Sequence, residues 1–302
     1  MSAPTLPKGK AIQSISDVVH GFEKLGYITD PALATVVYLN LKLGKPLLLE
    51  GHAGLGKTEV AKTLAAFLGT RLIRLQCYEG LDVNAAVYEW NYQKQLLAIK
   101  IEEGTGQSVE EKEKHIFGRE FLMERPLMQA IQEKESSPVL LIDEVDRADE
   151  AFEAFLLELL SDFQLSIPEL GTIKAKHPPL VVLTSNRSRE LSDALKRRCL
   201  YHWIESPDRE KEMKIVAARL PGIGAELEKQ IVSFMQQVRR LNLIKAPGVA
   251  ETLDWAQSLM ALGRNQVDAA TVDETLGCLS KSMDDTAKIR AAGIEKMIAE
   301  VS

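Results

Sequence analysis

The sequence predicts an α/β protein: a parallel sheet covered by helices on both faces in a three-layer arrangement, followed by an all-helical region. Three observations carry this. Short apolar runs recur at Pro46–Glu50, Leu72–Cys77, Val139–Ile142, Leu180–Thr184 and Tyr201–Ile204, with helical segments between them. Strands buried on both faces read as such uninterrupted runs. Beyond Ser206-Pro207-Asp208, a turn and helix-cap signal, only helical patterns remain, punctuated by Pro221-Gly222, Pro247-Gly248 and Gly263. The expected domains are therefore 1–205, α/β, and 206–302, a helical lid.

The first 44 residues read as two short helices. Asp30 caps the second, Pro31 occupies its first turn, and Gly44 stops the Ala32–Leu43 segment. Lys57–Leu68 follows a Gly-rich turn as a helix closed by Gly69. In Glu150–Phe163 the residues Phe152, Phe155, Leu156, Leu159, Leu160 and Phe163 recur at helical spacing, so one face is buried. Gln164–Ile167 and Thr172–Lys176 flank Glu169-Leu170-Gly171 as a β-hairpin, about 164–176.

At 302 residues the length fits about two domains. Lys plus Arg is 37 against 43 for Asp plus Glu, a net charge of −6, which weighs against stable nucleic-acid binding. Cys77, Cys199 and Cys278 form no CxxC pair or Cys/His cluster, so they read as reduced thiols. Met1–Gln13 lacks the apolar core of a signal peptide. No run approaches the ~20 apolar residues of a transmembrane segment. A soluble, cytoplasmic protein is expected.

Gly51-His52-Ala53-Gly54-Leu55-Gly56-Lys57-Thr58 matches GxxxxGK[ST] without substitution. Glycines let backbone N–H groups wrap phosphate oxygens, and a helix starting at Lys57 adds its positive dipole end. Lys57 is expected to reach the β- and γ-phosphates of ATP, and Thr58 to coordinate Mg²⁺. Glu59, next in the helix, completes the expected nucleotide-binding stretch.

Val139–Ile142 delivers Asp143 and Glu144 at the C-terminal end of a strand, the edge where open parallel sheets bind ligands. Asp143 is expected to hold Mg²⁺ through water, and Glu144 to polarise the attacking water. A water-activating Glu favours hydrolysis over transfer to a small acceptor. Leu180–Thr184 ends in Ser185-Asn186, and Asn186 can reach both water and γ-phosphate if its strand lies between the other two. The basic cluster Lys196-Arg197-Arg198 is either a solvated helix end or an arginine finger offered to a neighbouring subunit.

The order phosphate loop, DE, TSN and ALKRRC, followed by a helical lid, resembles an AAA+ ATPase. Asp143-Glu144-Val145-Asp146-Arg147-Ala148 is similar to the signature of the MoxR group. LQCYEGLD at 75–82, VYEWNY at 87–92, LSDFQLSIPELGTI at 160–173 and ALKRRCLYHWIE at 194–205 resemble its CoxD branch. The likeness spans roughly 20–262. It implies a P-loop AAA+ domain with an insert at about 84–125, a hairpin before Asn186, and assembly as a ring, a homo-hexamer. It further implies a von Willebrand factor A domain partner and chaperone-like activation of a metalloenzyme client, a molybdenum hydroxylase under maturation. By the same resemblance Arg198 matches the finger, with Arg197 as fallback. Arg147 is either a second interface residue or a local ion-pair partner, and Gln76 either orients Glu144 or is a plain strand end. One departure stands out: Glu251 occupies the place where MoxR-type lids carry a sensor arginine.

Tyr88, Trp90 and Tyr92 alternate, so an extended segment would put all three on one face, either as core or subunit contact or, exposed, to stack bases or grip a polypeptide. Ile101–Glu120 is rich in Glu and reads as a solvated, mobile surface. Two functions compete: a ring ATPase that remodels a protein, and a nucleic-acid motor built on the same core.

Overall fold

The computed structural model of the chain describes residues 4–7, 12–102, 108–167 and 171–300. In chain order, α1 (Ile15–Glu23) and α2 (Pro31–Leu43) precede β1 (Leu47–Glu50), α3 (Lys57–Leu68) and β2 (Leu72–Gln76). An excursion follows: α4 (Val83–Val87), β3 (Tyr88–Trp90), α5 (Tyr92–Glu102), α6 (Val109–Ile116) and β4 (Leu122–Glu124). Then come α7 (Pro126–Ile131), β5 (Val139–Asp143), α8 (Glu150–Asp162), β6 (Gln164–Ile167), β7 (Gly171–Lys174) and β8 (Leu180–Ser185). They are followed by α9 (Asp193–Arg198) and β9 (Leu200–Trp203). The remainder is helical: α10 (Arg209–Arg219), α11 (Ala225–Arg240), α12 (Val249–Ala261), α13 (Ala269–Leu279), α14 (Met283–Ala291) and α15 (Ile294–Ala299).

The chain divides into two compact units, neither continuous in sequence. The first comprises 1–14, 35–49 and 64–202. Its frame is a five-stranded parallel sheet in the order β2-β5-β8-β1-β9, flanked by helices. Every residue of β5 and β8 is buried, as the apolar runs require. β2 and β5 run in register from Leu72↔Val139 to Gln76↔Asp143. Leu75, Leu140, Ile142, Val181 and Leu183 pack with Leu127 and Met128 of α7 and Phe152, Leu156 and Leu160 of α8. Gly44 ends α2 as expected, at φ 65° with its N–H on the Asn40 carbonyl. Asp149 caps α8 through the Phe152 amide, and Phe163 closes it in the left-handed region.

The hairpin arms are Gln164–Ile167 and Gly171–Lys174, antiparallel, so the second arm sits slightly earlier than Thr172–Lys176. The expected turn residues Glu169 and Leu170 lie outside the described residues, as does part of Ile101–Glu120. The aromatic stripe is corrected. Trp90 is buried and Tyr88 half-buried on β3, but Tyr92 starts α5 and is 62% exposed. Asn91 causes the break: its side chain accepts the Lys94 amide and its carbonyl accepts Gln95 N–H, so the strand turns into a helix. α5 is also inside out. Gln95 is buried and donates to the Ile116 carbonyl, whereas Leu96, Leu97 and Ile101 face solvent.

The second unit comprises 15–34, 50–63 and 203–302. Asp30 accepts the Leu33 amide, and Asp208 the Lys211 amide, as the cap signals require. Its core joins Ile231, Phe234 and Met235 of α11 to Trp255 of α12 and Val272 and Leu276 of α13. The buried Trp255 indole N–H is satisfied by Thr275 Oγ1 at 2.8 Å. No helix among the described residues is long and apolar enough to cross a membrane.

Candidate active site

The phosphate loop is built around a lysine folded back on its own turn. Lys57 is buried, and its Nζ donates to the carbonyls of Gly51 at 2.8 Å and His52 at 2.7 Å. Such a cation is desolvated and available to phosphate oxygens at the cost of two carbonyl contacts. Gly51 has no room for a side chain: a Cβ would lie 2.6 Å from the Ile204 carbonyl oxygen. Gly54, at φ 79°, faces Gly248 at the start of α12, where a Cβ on Gly248 would come within 2.9 Å of the Ala53 carbonyl oxygen. The Ala250 amide donates to the Gly54 carbonyl at 3.0 Å. His52 stacks edge-on against Trp203, with centroids 5.7 Å apart. Glu59 carries ion pairs to Lys62 and Arg219.

Glu251 caps the start of α12 by the glutamate half of a capping box alone, since Gly248 has no side chain: its Oε2 accepts the Gly248 amide at 2.8 Å. The same oxygen lies 2.9 Å from where a Gly54 Cβ would be. Glu251 is thus a carboxylate set against the phosphate loop. Behind it, Glu212 is fully buried and paired bidentately with Arg239, at 2.5 and 2.6 Å. Thr252 and Gln236 also donate to Glu212, and Arg239 holds the Pro247 carbonyl. The Gly248 turn is fixed from behind by a satisfied ionic network.

In the other unit, β5 and β8 carry the acidic groups. Asp143 is buried; its Oδ1 accepts Thr184 Oγ1 at 2.5 Å, and its Oδ2 accepts Arg74 Nη2 and Nε at 2.6 and 3.0 Å. Glu144 follows at φ 56°, ψ 48°, a left-handed conformation that is costly for a non-glycine residue and clusters at functional sites. Its amide donates to Thr184 Oγ1, and its carboxylate pairs with Arg147 at 2.8 Å. β8 lies between β5 and β1 in the sheet, as the reading of Asn186 requires of its strand. Asn186 N–H donates to Asp146, which also accepts the Ser188 amide at 2.7 Å and hydroxyl at 2.6 Å. Burial alone would raise the Asp146 pKa, but these bonds outweigh it and hold the carboxyl below its ordinary range. Burial, reinforced by Asp143, Asp146 and Glu144, pushes the Cys77 thiol up to about 12, so it is an inert packing residue.

Residues 46–199, just over half the chain, match the family described as AAA domain (dynein-related subfamily). The chain belongs to this family. It is an ATP-hydrolysing enzyme. Among solved structures it is similar to Thermotoga maritima RuvB. One variant gives a TM-score of 0.49 at 18% identity over 83% of this chain and 70% of that one. The structure titled Holliday junction branch migration motor gives 0.45 at 17% identity over 87% and 66%.

Within this AAA domain the remaining site candidates can be placed. Arg197 and Arg198 are exposed at the end of α9, with Arg198 Nε on Ser161 Oγ at 3.1 Å. Neither has a carboxylate partner among the described residues. Arg147 has a local ion pair, as one of its two readings required. Gln76 accepts from Arg74, so the structure sets it beside that guanidinium. Arg74, Thr184, Asp146 and Ser188 form the setting of Asp143 and Asn186; Arg74 and Ser188 belong to no motif read from the sequence, and Thr184 and Asp146 lie inside motifs that assign them no role. Arg74 left one trace, a charge inside the apolar run Leu72–Cys77. Thr58 in one unit and Asp143 in the other each carry oxygen donors of the kind a hard cation such as Mg²⁺ takes, and Lys57 in its glycine turn suits the phosphates of ATP.

Proposed function

We propose that this AAA ATPase works as a ring, most similar to the CoxD branch of the MoxR group, and remodels a client protein. The client proposed is a molybdenum-containing metalloenzyme under maturation, reached with a von Willebrand factor A domain partner. The motif stretches at 75–82, 87–92, 160–173 and 194–205 support that assignment. In this reading Lys57 and the amides of Gly51–Thr58 hold the nucleotide phosphates. Thr58 and Asp143 are the residues that would hold Mg²⁺, which would supply charge neutralisation at the phosphates when bound. Glu144 takes the proton of the attacking water, Asn186 orients that water, and Arg198 of a neighbouring copy, or Arg197, stabilises the transferring phosphoryl group.

The observation that carries the ring is the pair of exposed arginines ending α9 with no carboxylate among the described residues to neutralise them. Guanidinium groups not neutralised by a carboxylate of their own chain are what a finger acting on another subunit needs. The test is ATP turnover per subunit against protein concentration, beside size-exclusion chromatography with and without ATP. Specific activity rising as a larger species forms supports the ring. A monomer hydrolysing at a concentration-independent rate contradicts it. The alternative, a nucleic-acid motor, predicts DNA or RNA binding that falls steeply with salt; the remodelling reading predicts no such binding.

A further inference from the structure

A groove of about 320 Å³ opens between the C-terminal end of α7 and strand β7. Ile131, buried, and Ile173, half-buried, supply its apolar surface. Around it stand Arg119, Lys134, Lys174 and Lys176, all exposed. None of the four side chains has a carboxylate partner among the described residues. The one acid among the described residues lining the groove, Glu133, is engaged at 3.8 Å by Arg71. The C-terminal end of α7 adds only about half a negative charge, too little to balance four cations.

Lysines on an edge strand often serve merely to discourage strand pairing between molecules. That accounts for Lys174 on β7 but not for Arg119, from the excursion, or Lys134, from the loop after α7. Convergence of cations from three chain segments on an apolar surface needs another reason. β7 also belongs to a two-stranded sheet, so among the described residues one of its edges has no strand partner.

We propose that this groove binds an extended segment of a partner protein in which acidic and apolar residues alternate. Carboxylates would meet the four cations, apolar side chains would cover Ile131 and Ile173, and the segment's backbone would add to the open edge of β7. Nucleic acid fits less well: phosphates gain nothing from the two isoleucines, and the chain's net charge of −6 opposes it. The proposal concerns a surface apart from the phosphate loop and stands whichever client the enzyme serves.

The experiment is fluorescence anisotropy of the full chain with a short labelled peptide alternating Glu and Leu. Comparison probes are a Glu–Ser peptide, a Lys–Leu peptide and a single-stranded DNA oligonucleotide. The Glu–Leu peptide should bind tightest, weaken as salt screens the charges, and lose at least about tenfold in affinity in Lys174→Glu/Lys176→Glu. ATP hydrolysis by that variant should match wild type, which separates loss of the groove from loss of the fold. Absence of binding, or binding indifferent to the charge reversal, would overturn the proposal. DNA binding as tight as the Glu–Leu peptide's, and lost in the same variant, would overturn it in favour of a nucleic-acid surface. If the variant also fails to hydrolyse ATP, Arg119→Glu and Lys134→Glu, from separate segments, read the same groove.

Discussion

The phosphate loop and the acidic strand end solve the same problem, holding a charge ready in a buried setting, in opposite ways. Lys57 is held by backbone carbonyls of its own loop, five and six residues away. Asp143 is held by side chains from two other strands, Arg74 on β2 and Thr184 on β8, and Glu144 by Arg147. The first arrangement is local and survives wherever the loop folds. The second exists only when β2, β5 and β8 are in register. The loop is therefore a module, whereas the acidic end is a product of the whole sheet.

Four substitutions test that contrast, in decreasing order of effect. Lys57→Ala removes the only cation the loop holds for phosphate, and ATP binding measured by calorimetry should fall below detection with thermal stability nearly unchanged. Glu144→Gln should lower kcat by ~10²–10⁴ while ATP still binds, since only proton removal from water is lost. Near-wild-type turnover in that variant would move the base elsewhere.

Glu212→Ala leaves Arg239 buried without its partner and should destabilise the protein by ~3–5 kcal/mol in chemical denaturation. It should also weaken ATP binding, because the Gly248 turn against Gly54 loses its support. Unchanged affinity in a variant that is still folded would detach the lid from the loop.

The smallest effect concerns pH. Asp146 has its carboxyl held below the ordinary range, so its contribution is fully present above the unfolded value near 3.9 and is lost as pH falls through the lower folded value. Asp146→Asn should lower stability near neutral pH and flatten the loss of stability below about pH 4. An unchanged acid limb would show that the bonds from Ser188 and Asn186 add nothing net.

The same contrast explains what the sequence discloses. The phosphate loop was legible because all its contacts lie within one spacing motif, and the strands were legible because burial on both faces makes uninterrupted apolar runs. Asp143 and Glu144 were visible as residues, but Arg74 and Thr184 as their partners were not, since pairing depends on the strand order β2-β5-β8. Alternation alone misplaces Tyr92, because Asn91, a helix-capping residue, sits in the middle of the stripe. The solvent-facing apolar side of α5 was illegible for another reason. Its apolar residues do not gather on one helical face, and the buried contact is made by a polar residue, Gln95. Glu251 stands out in the sequence as a departure, but its seat against Gly54 depends on how α12 packs on the phosphate loop.

The most direct test of the ring mechanism is to mix two inactive variants, Glu144→Gln and Arg198→Ala, and measure ATP turnover. On the proposed mechanism each lacks a different half of a site that two subunits would share. If Arg198 acts on a neighbour, mixed rings pair an intact Glu144 with an intact Arg198, and activity returns in the mixture. If turnover stays at the sum of the two separate variants while mixed assemblies form, Arg198 does not complete a neighbour's site and the ring mechanism proposed for this AAA ATPase is wrong.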